Sequence, residues 1–287
     1  MSQSSPGLPA TSQGKVSLVD GKPVHYHEVG KGEPLMLIHG GGPGASGLSN
    51  YSRNIEALSA QYRLIIPDMP GYGGTYKDPI AGPRYAAYSK AMLGLLDNLD
   101  IPTVHIVGNS LGGGAALMMA MDAPDRVDKL VLMGPAGLMT SISTLPTEGA
   151  RMIFGYYGGE GPSRQKLNDF LKLMIYDSSN LTEELLEQRY QASVLPDILA
   201  NPPLGGRGGF PILEEIWRDA RLAKLPHETL VLWGRDDRVN LLATAETLLN
   251  QLRNGRMITF TQCGHWVQWE RSRAFNTLVS GFLAGDL

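Results

Sequence analysis

The sequence holds a single cysteine, Cys263, so no intrachain disulfide framework can staple it, and a lone thiol suits a reducing compartment. Charge of either sign is also sparse: 25 Lys and Arg against 28 Asp and Glu leave a net charge of −3 and no basic stripe. Nucleic-acid binding draws on counterion release from many phosphate contacts, so this balance argues against a nucleic-acid partner. Long apolar runs are missing too. The longest, 111–121 and 130–139, fall well short of the ~18 residues that a membrane span requires. Residues 1–14 show neither the basic start nor the apolar centre of a secretory signal, and their Ser, Pro and Gly content reads as a disordered tail. These absences leave a cytoplasmic globular protein with no membrane partner.

What is present is alternation. Lys15–Val19 and Pro23–Glu28 flank Asp20-Gly21, a strong hairpin signal. Short apolar runs then recur at 34–38, 63–67, 103–108 and 130–134, separated by helical patterns at 86–99 and 111–121. After an antiparallel start, this rhythm predicts a mostly parallel sheet covered by helices. It breaks between residues 135 and 225, where helical patterns stand without a convincing strand. It returns with strands at 229–233 and 256–260 and helices at 241–252 and 271–283. The expected organisation is therefore an α/β core of 15–134 and 226–287, with 135–225 inserted between two strands as a helical cap.

Gly108-Asn109-Ser110-Leu111-Gly112 fits the G-x-S-x-G pattern. By itself that pattern is weak. Here, however, it follows the apolar strand at 104–107 and opens the helix-forming run 115–121, the strand–turn–helix setting of a nucleophile elbow. The turn presents a serine hydroxyl at the sheet edge and aims the Leu111 amide, at a helix N-terminus, where an oxyanion would form. A serine hydroxyl is a weak nucleophile until a base takes its proton and an acid orients that base. Of the six histidines, only His265 lies in a loop just after a late strand and in the chain order Ser, Asp, His. The acid is expected after the strand 229–233, where Asp236 and Asp237 stand side by side. Side chains alternate in an extended segment, so only one of them can face the histidine.

One cation also stands out. Asn180 or Thr182 can cap a helix running to about residue 194, and on it Arg189 falls within the apolar arc of Leu181, Leu185, Leu186, Tyr190 and Ala192. A guanidinium that faces a core needs an anionic partner. An internal carboxylate such as Asp177 or Asp197 would serve, and so would the carboxylate of a substrate.

Together these features resemble the α/β-hydrolase superfamily and, within it, the meta-cleavage product hydrolases, which cleave C–C bonds in bacterial aromatic and steroid breakdown. The resemblance rests on HGGGPGASGLSNY (39–51), VGNSLGGG (107–114), LMGPAGL (132–138), MIYDSSNLTEELLEQRY (174–190), WGRDDRVN (233–240) and QCGHWVQWE (262–270). It implies an α/β-hydrolase fold with Ser110, Asp237 and His265 as a triad. It implies the amides of Gly41 and Leu111 as the oxyanion hole, and Gly42, Asn50, Asn109, Arg189 and Trp266 around the substrate's carboxylate and enol. Leu48 stands where some relatives carry tryptophan, and the stretch 200–212 follows no familiar pattern. The implied substrate is a small 2-hydroxy-6-oxohexa-2,4-dienoate, with no cofactor, no metal and a homo-oligomeric state. The cap's Met139, Met152, Phe154, Met174, Ile175 and Phe210, with Trp217 and Val239, suggest a bulky group at carbon 6.

Overall fold

Eight strands form one sheet in the order β1-β2-β4-β3-β5-β6-β7-β8 in a computed structural model that describes residues 14–138, 146–204 and 214–287. They are β1 (Lys15–Val19), β2 (Lys22–Val29), β3 (Glu33–Ile38), β4 (Tyr62–Pro67), β5 (Val104–Asn109), β6 (Val127–Met133), β7 (Thr229–Gly234) and β8 (Gly255–Phe260). The hairpin of β1 and β2 is antiparallel, β2 runs antiparallel to β4, and every pairing from β4 to β8 is parallel. Each expected strand is present within a few residues. Residues 1–13 of the anticipated tail lie outside the described residues.

Period-two alternation sorts the apolar side chains onto two faces. Met36, Ile38, Ile106, Leu130, Leu132, Val231 and Trp233 face α3 (Arg84–Asn98) and α4 (Leu111–Asp122), meeting Tyr85, Tyr88, Leu95 and Leu117. Their neighbours Leu35, Leu37, Val107, Val131, Met133, Leu230 and Leu232 face the other way. There they meet Tyr51, Ile55, Phe275 and Val279 from α1 (Gly47–Tyr51), α2 (Ile55–Ser59) and α11 (Ser272–Ala284). Both faces of the sheet's centre are covered, which is why the central strands β3 to β7 read as apolar runs, whereas β1, β2 and β8 are partly exposed.

Between β6 and β7 the described residues hold helices and no strand: α5 (Glu148–Gly155), α6 (Arg164–Met174), α7 (Glu183–Ser193) and α8 (Pro196–Ala200). Thr147, Ser163 and Thr182 cap the first three through their hydroxyls, each accepting a first-turn amide. Phe170, Leu171, Met174 and Leu186 form a third apolar cluster, which closes on Val239, Trp266 and Trp269 from the loops beyond β7 and β8. The insertion thus packs against the ends of the same strands that carry the motif residues.

Two local differences from the expectations have physical causes. Helices α1 and α2 were not anticipated, because five residues are too few to show a periodicity. The helix expected over 241–252 shortens to a 3-10 turn and α9 (Ala245–Leu249), since the Thr244 hydroxyl donates to Leu241 O at 2.8 Å and tightens the entry. The last short helix, α10 (Val267–Glu270), follows Trp266 directly. Among the described residues no helix is long and apolar enough to cross a membrane.

Candidate functional site

Ser110 occupies a single-residue turn between β5 and α4 with φ 51° and ψ −114°, a backbone region that a residue with a Cβ adopts only under strain. The turn is held from both sides: Ser110 N–H donates to Met133 O at 2.8 Å, and Ala136 N–H donates to Ser110 O at 2.9 Å. The second glycine of the motif is a steric necessity. A Cβ on Gly112 would sit 2.3 Å from Ile38 O, because α4 packs directly on the end of β3. Leu111 opens α4, so its amide belongs to the first turn, whose N–H groups have no intrahelical acceptor.

The ambiguity between the adjacent aspartates resolves cleanly. Asp237 Oδ2 accepts from His265 Nδ1 at 2.7 Å, while its Oδ1 accepts the amides of Val239 and Asn240 at 2.8 and 2.9 Å. Asp236 turns the other way, and its Oδ2 takes the Cys263 amide at 3.3 Å, bracing the histidine loop. With Nδ1 turned to Asp237, Nε2 is the ring nitrogen of His265 left free of that contact. Ser110 and His265 line the same cleft, although no hydrogen bond joins them, a common state of such pairs before substrate enters.

Gly41, Gly42, Asn50, Asn109, Arg189 and Trp266 also line that cleft, which is narrow. It carries an unusual concentration of unsatisfied polar atoms: Asn50 Nδ2, Asn109 Oδ1 and Arg189 Nη1 are all buried without a hydrogen-bond partner. Such orphans are rare in folded proteins, and a cluster of them around one space marks a place that a polar ligand would satisfy. Their other atoms are fixed. Asn50 Oδ1 accepts Trp266 Nε1–H at 3.1 Å, and Asn109 Nδ2 donates to Met133 O at 3.3 Å.

Arg189 decides the charge of the cleft. It is 1% exposed, donates from Nε and Nη2 to Pro43 O at 3.1 and 2.9 Å, and lies 5.0 Å over the Trp266 ring. Neither internal carboxylate weighed above reaches it: Asp177 caps the turn at Ser179, and Asp197 faces Lys77. Burial lowers its pKa from 12.5 to about 10, with only nearby tyrosines working the other way. The glycine-rich loop accommodates this arginine closely. Gly44, at φ +64°, lies so near α7 that a Cβ there would come within 1.9 Å of Arg189 O.

Further side chains support the site: His39, whose place beside the glycines lets its ring hold that loop, and Asp68 and Tyr72, which had no clear sequence signal. His39, fully enclosed, donates from Nδ1 to Gly40 O at 2.8 Å and accepts Met69 N–H at Nε2 at 2.9 Å. Burial depresses its pKa, and the acceptor role of Nε2 requires the neutral ring. Asp68 accepts His25 Nδ1–H and the Gly47 and Gly74 amides. Burial would raise its pKa, but the hydrogen bonds from His25, Gly74 and Gly47 outweigh it and hold the carboxyl down to about 2. Tyr72 Oη donates to Gly41 O at 2.9 Å and so fixes the peptide next to the expected oxyanion position.

The cleft's apolar walls come from Ile153, Phe170 and Met174. Of the apolar residues expected there, Met174 is in place. Met152, Ile175 and Val239 belong to the third apolar cluster, Trp217 packs against the main core, and Phe154 is half-buried outside the lining. Met139 and Phe210 lie outside the described residues. Among the described residues no group of three or more His, Cys, Asp or Glu is placed to hold a metal ion.

Residues 34–272 match the family model described as the alpha/beta hydrolase fold. The chain is 40% identical over 264 residues to a 2-hydroxy-6-oxo-6-phenylhexa-2,4-dienoate hydrolase of Comamonas testosteroni, covering 91% of each chain. It is 37% identical over 274 residues to a 2-hydroxy-6-oxononadienedioate/2-hydroxy-6-oxononatrienedioate hydrolase of Cupriavidus pinatubonensis, covering 91% of this chain and 90% of that one. Among solved structures it matches a meta-cleavage product hydrolase from Pseudomonas fluorescens IP01 with a TM-score of 0.83 and 36% identity, over 96% and 98% of the two chains. An elbow serine, a histidine backed by one aspartate and a buried arginine, in a chain this similar to those enzymes, lead to one assignment: the protein belongs to the meta-cleavage product hydrolases of the α/β-hydrolase fold.

Proposed function

We propose that this chain hydrolyses a carbon–carbon bond in 2-hydroxy-6-oxohexa-2,4-dienoates, with Ser110, His265 and Asp237 as its catalytic triad beneath a cap formed by residues 135–225. The observation that carries this reading is the buried Arg189, which lines the cleft of Ser110 and His265, has no carboxylate partner among the described residues and leaves its Nη1 without a hydrogen bond. An ordinary ester hydrolase has no use for a sequestered cation at that position. A dienoate does.

The chemistry follows from the demands of the bond. An unassisted carbanion is a very poor leaving group, so C–C hydrolysis needs an electron sink adjacent to the bond. Arg189, Asn50 and Trp266 would hold the carboxylate and enol end while the dienol shifts to its keto tautomer, which creates that sink. An oxygen nucleophile at Ser110 then adds to the carbon-6 ketone, with His265 taking the proton. The amides of Gly41 and Leu111 stabilise the oxyanion, a role in which one donor is typically worth about 3 kcal/mol. Cleavage sends the electrons of the broken bond through the conjugated chain to the carbon-2 carbonyl, whose oxygen takes the proton, so that 2-hydroxypenta-2,4-dienoate departs. One water, acting as the nucleophile itself or by hydrolysing the acyl-serine, completes the carboxylic acid. Ile153, Phe170 and Met174 support an apolar carbon-6 substituent, since Arg189 is the single cation lining the cleft among the described residues. The reading includes a cytoplasmic location, in keeping with the lone buried Cys263, and a homo-oligomer, as the family resemblance implies.

The test is a stopped-flow survey of yellow dienoates bearing methyl, phenyl or carboxyethyl at carbon 6, run with the native protein and Ser110→Ala. The native protein bleaches the phenyl compound fastest, and Ser110→Ala binds it without bleaching. Rapid turnover of nitrophenyl esters with every dienoate left unbleached overturns the reading.

A further inference from the structure

The segment leaving α6 and the loop that carries His265 are joined by three hydrogen bonds, two of which pass through one side chain. Directly, His265 N–H donates to Met174 O at 2.7 Å. Through Glu270, the Gly264 amide donates to Oε1 at 2.8 Å and the Tyr176 amide donates to Oε2 at 2.7 Å. The two strips lie so close that a Cβ on Gly264 would come within 2.4 Å of Met174 O. Glu270 ends α10, one turn beyond Trp266, and α10 is itself anchored to the core. Asn54 Nδ2 donates to Gln268 O at 2.9 Å, and Arg53 lies 3.5 Å over the Trp269 ring while donating to Trp269 O.

A carboxylate suits this place for a reason of chemistry. Two backbone donors, one on the insertion and one on the histidine loop, converge on one side chain, and only a carboxylate offers each of them a full acceptor oxygen. An amide of the same shape would turn an N–H₂ group toward one of the two donors. Burial raises the Glu270 pKa, and the bonds from Tyr176 and Gly264 work against that rise.

We infer that Glu270 is a positioning residue, whose carboxylate locks the exit of α6 to the His265 loop so that the cap wall at Met174 and the base move as one unit. The inference rests on the proposed role of His265. Met174 and His265 line the same cleft, so slack between the two strips would alter the distance from Nε2 to Ser110. Misplacement of a reacting group by ~1 Å typically costs on the order of 100-fold in rate.

The experiment compares Glu270→Gln and the shorter Glu270→Asp with the native protein. Each is measured for kcat and KM on a phenyl-bearing dienoate, for thermal midpoint, and for the rate at which a small fluorophosphonate probe labels Ser110. Labelling reports activation of the serine by the histidine whatever the natural substrate is, so it separates failure of this inference from failure of the functional reading. For both variants the expectation is a fall of about 10- to 100-fold in kcat with KM changed less than about 3-fold. Probe labelling falls by a similar factor in a protein that still folds. Arg164→Ala, which breaks only exposed ion pairs to Glu183 and Glu187, changes neither rate. Unaltered kcat and labelling in a folded Glu270 variant overturns the inference. So does loss of folding in both variants, which assigns Glu270 a purely structural role.

Discussion

Replacing Arg189 with methionine separates what this side chain does for the fold from what it does for the ligand. The guanidinium is buried with no carboxylate partner among the described residues, and its pKa of about 10 against an ordinary 12.5 means that the charged form is disfavoured by about 3 kcal/mol. Methionine removes that penalty at similar length. It also strips Pro43 O of its two donors, which costs about 1–3 kcal/mol if the oxygen stays buried and unpaired. The two effects nearly cancel, so Arg189→Met should leave stability within about 2 kcal/mol of the native protein, on either side. At ~2–4 °C per kcal/mol for a chain of this size, the thermal midpoint moves by less than about 8 °C. Ligand binding behaves quite differently. A charge-assisted contact in a desolvated site is worth about 2–4 kcal/mol, so kcat/KM on a dienoate should drop by roughly 30- to 1000-fold. The assay is paired: thermal midpoints with and without saturating dienoate on a Ser110→Ala background, and kcat/KM in the otherwise native chain. The native arginine should give a ligand-dependent rise in midpoint, and the methionine variant none. A strongly destabilised Arg189→Met protein that keeps its ligand-induced shift would refute the argument, because the arginine would then be a structural clamp.

The remaining predictions concern the acid, a loop anchor and a close approach. Asp237→Asn should cut kcat by roughly 10⁴-fold by losing the tautomer that frees His265 Nε2, whereas Asp236→Asn, which touches only the Cys263 amide, should stay within about tenfold, both read from bleaching kinetics. Asp68, held down to about 2, supports folding above the unfolded carboxyl's ordinary 3.8 and loses that contribution as pH falls through 2. Denaturant titrations across pH 5 to 2 should therefore show Asp68→Asn less stable at pH 5 by about 2 kcal/mol and flatter toward acid than the native chain. Gly44→Ala should cost more than about 2 kcal/mol in chemical denaturation and depress dienoate turnover. A Cβ there meets the Arg189 carbonyl at 1.9 Å, and the backbone sits at φ +64°.

How much of this was legible beforehand depended on whether the signal was local. The central strands β3 to β7 were readable because they are largely buried on both faces and so form apolar runs, and β1 and β2 because of the turn between them. The elbow was readable because strand, turn and helix are contiguous, so the constraint on Gly112, set by the end of β3, left its mark within five residues of Ser110. Arg189 stood out for the opposite reason, as a charge in an apolar arc, and its neighbours Leu186 and Ser193 are indeed buried with it. Of the supports, only His39 was readable, because it adjoins the glycines whose Gly40 carbonyl its ring holds. Asp68, Tyr72 and Glu270 each act on backbone atoms that lie elsewhere in the chain or that carry no residue-specific mark. A contact between a side chain and a distant peptide group leaves no pattern in spacing or composition.

By itself the sequence determined the layered α/β plan, the strained serine and the presence of one misplaced cation, since each follows from short-range sterics and the period of apolar burial. Only the tertiary structure decided which of two adjacent aspartates meets His265, and that Arg189 finds no carboxylate partner among the described residues. Both outcomes turn on the relative placement of segments more than twenty residues apart. Parallel crossovers bring the ends of β5, β7 and β8 to one edge, and the packing of α7 over the glycine-rich loop then fixes which polar atoms are left without a partner.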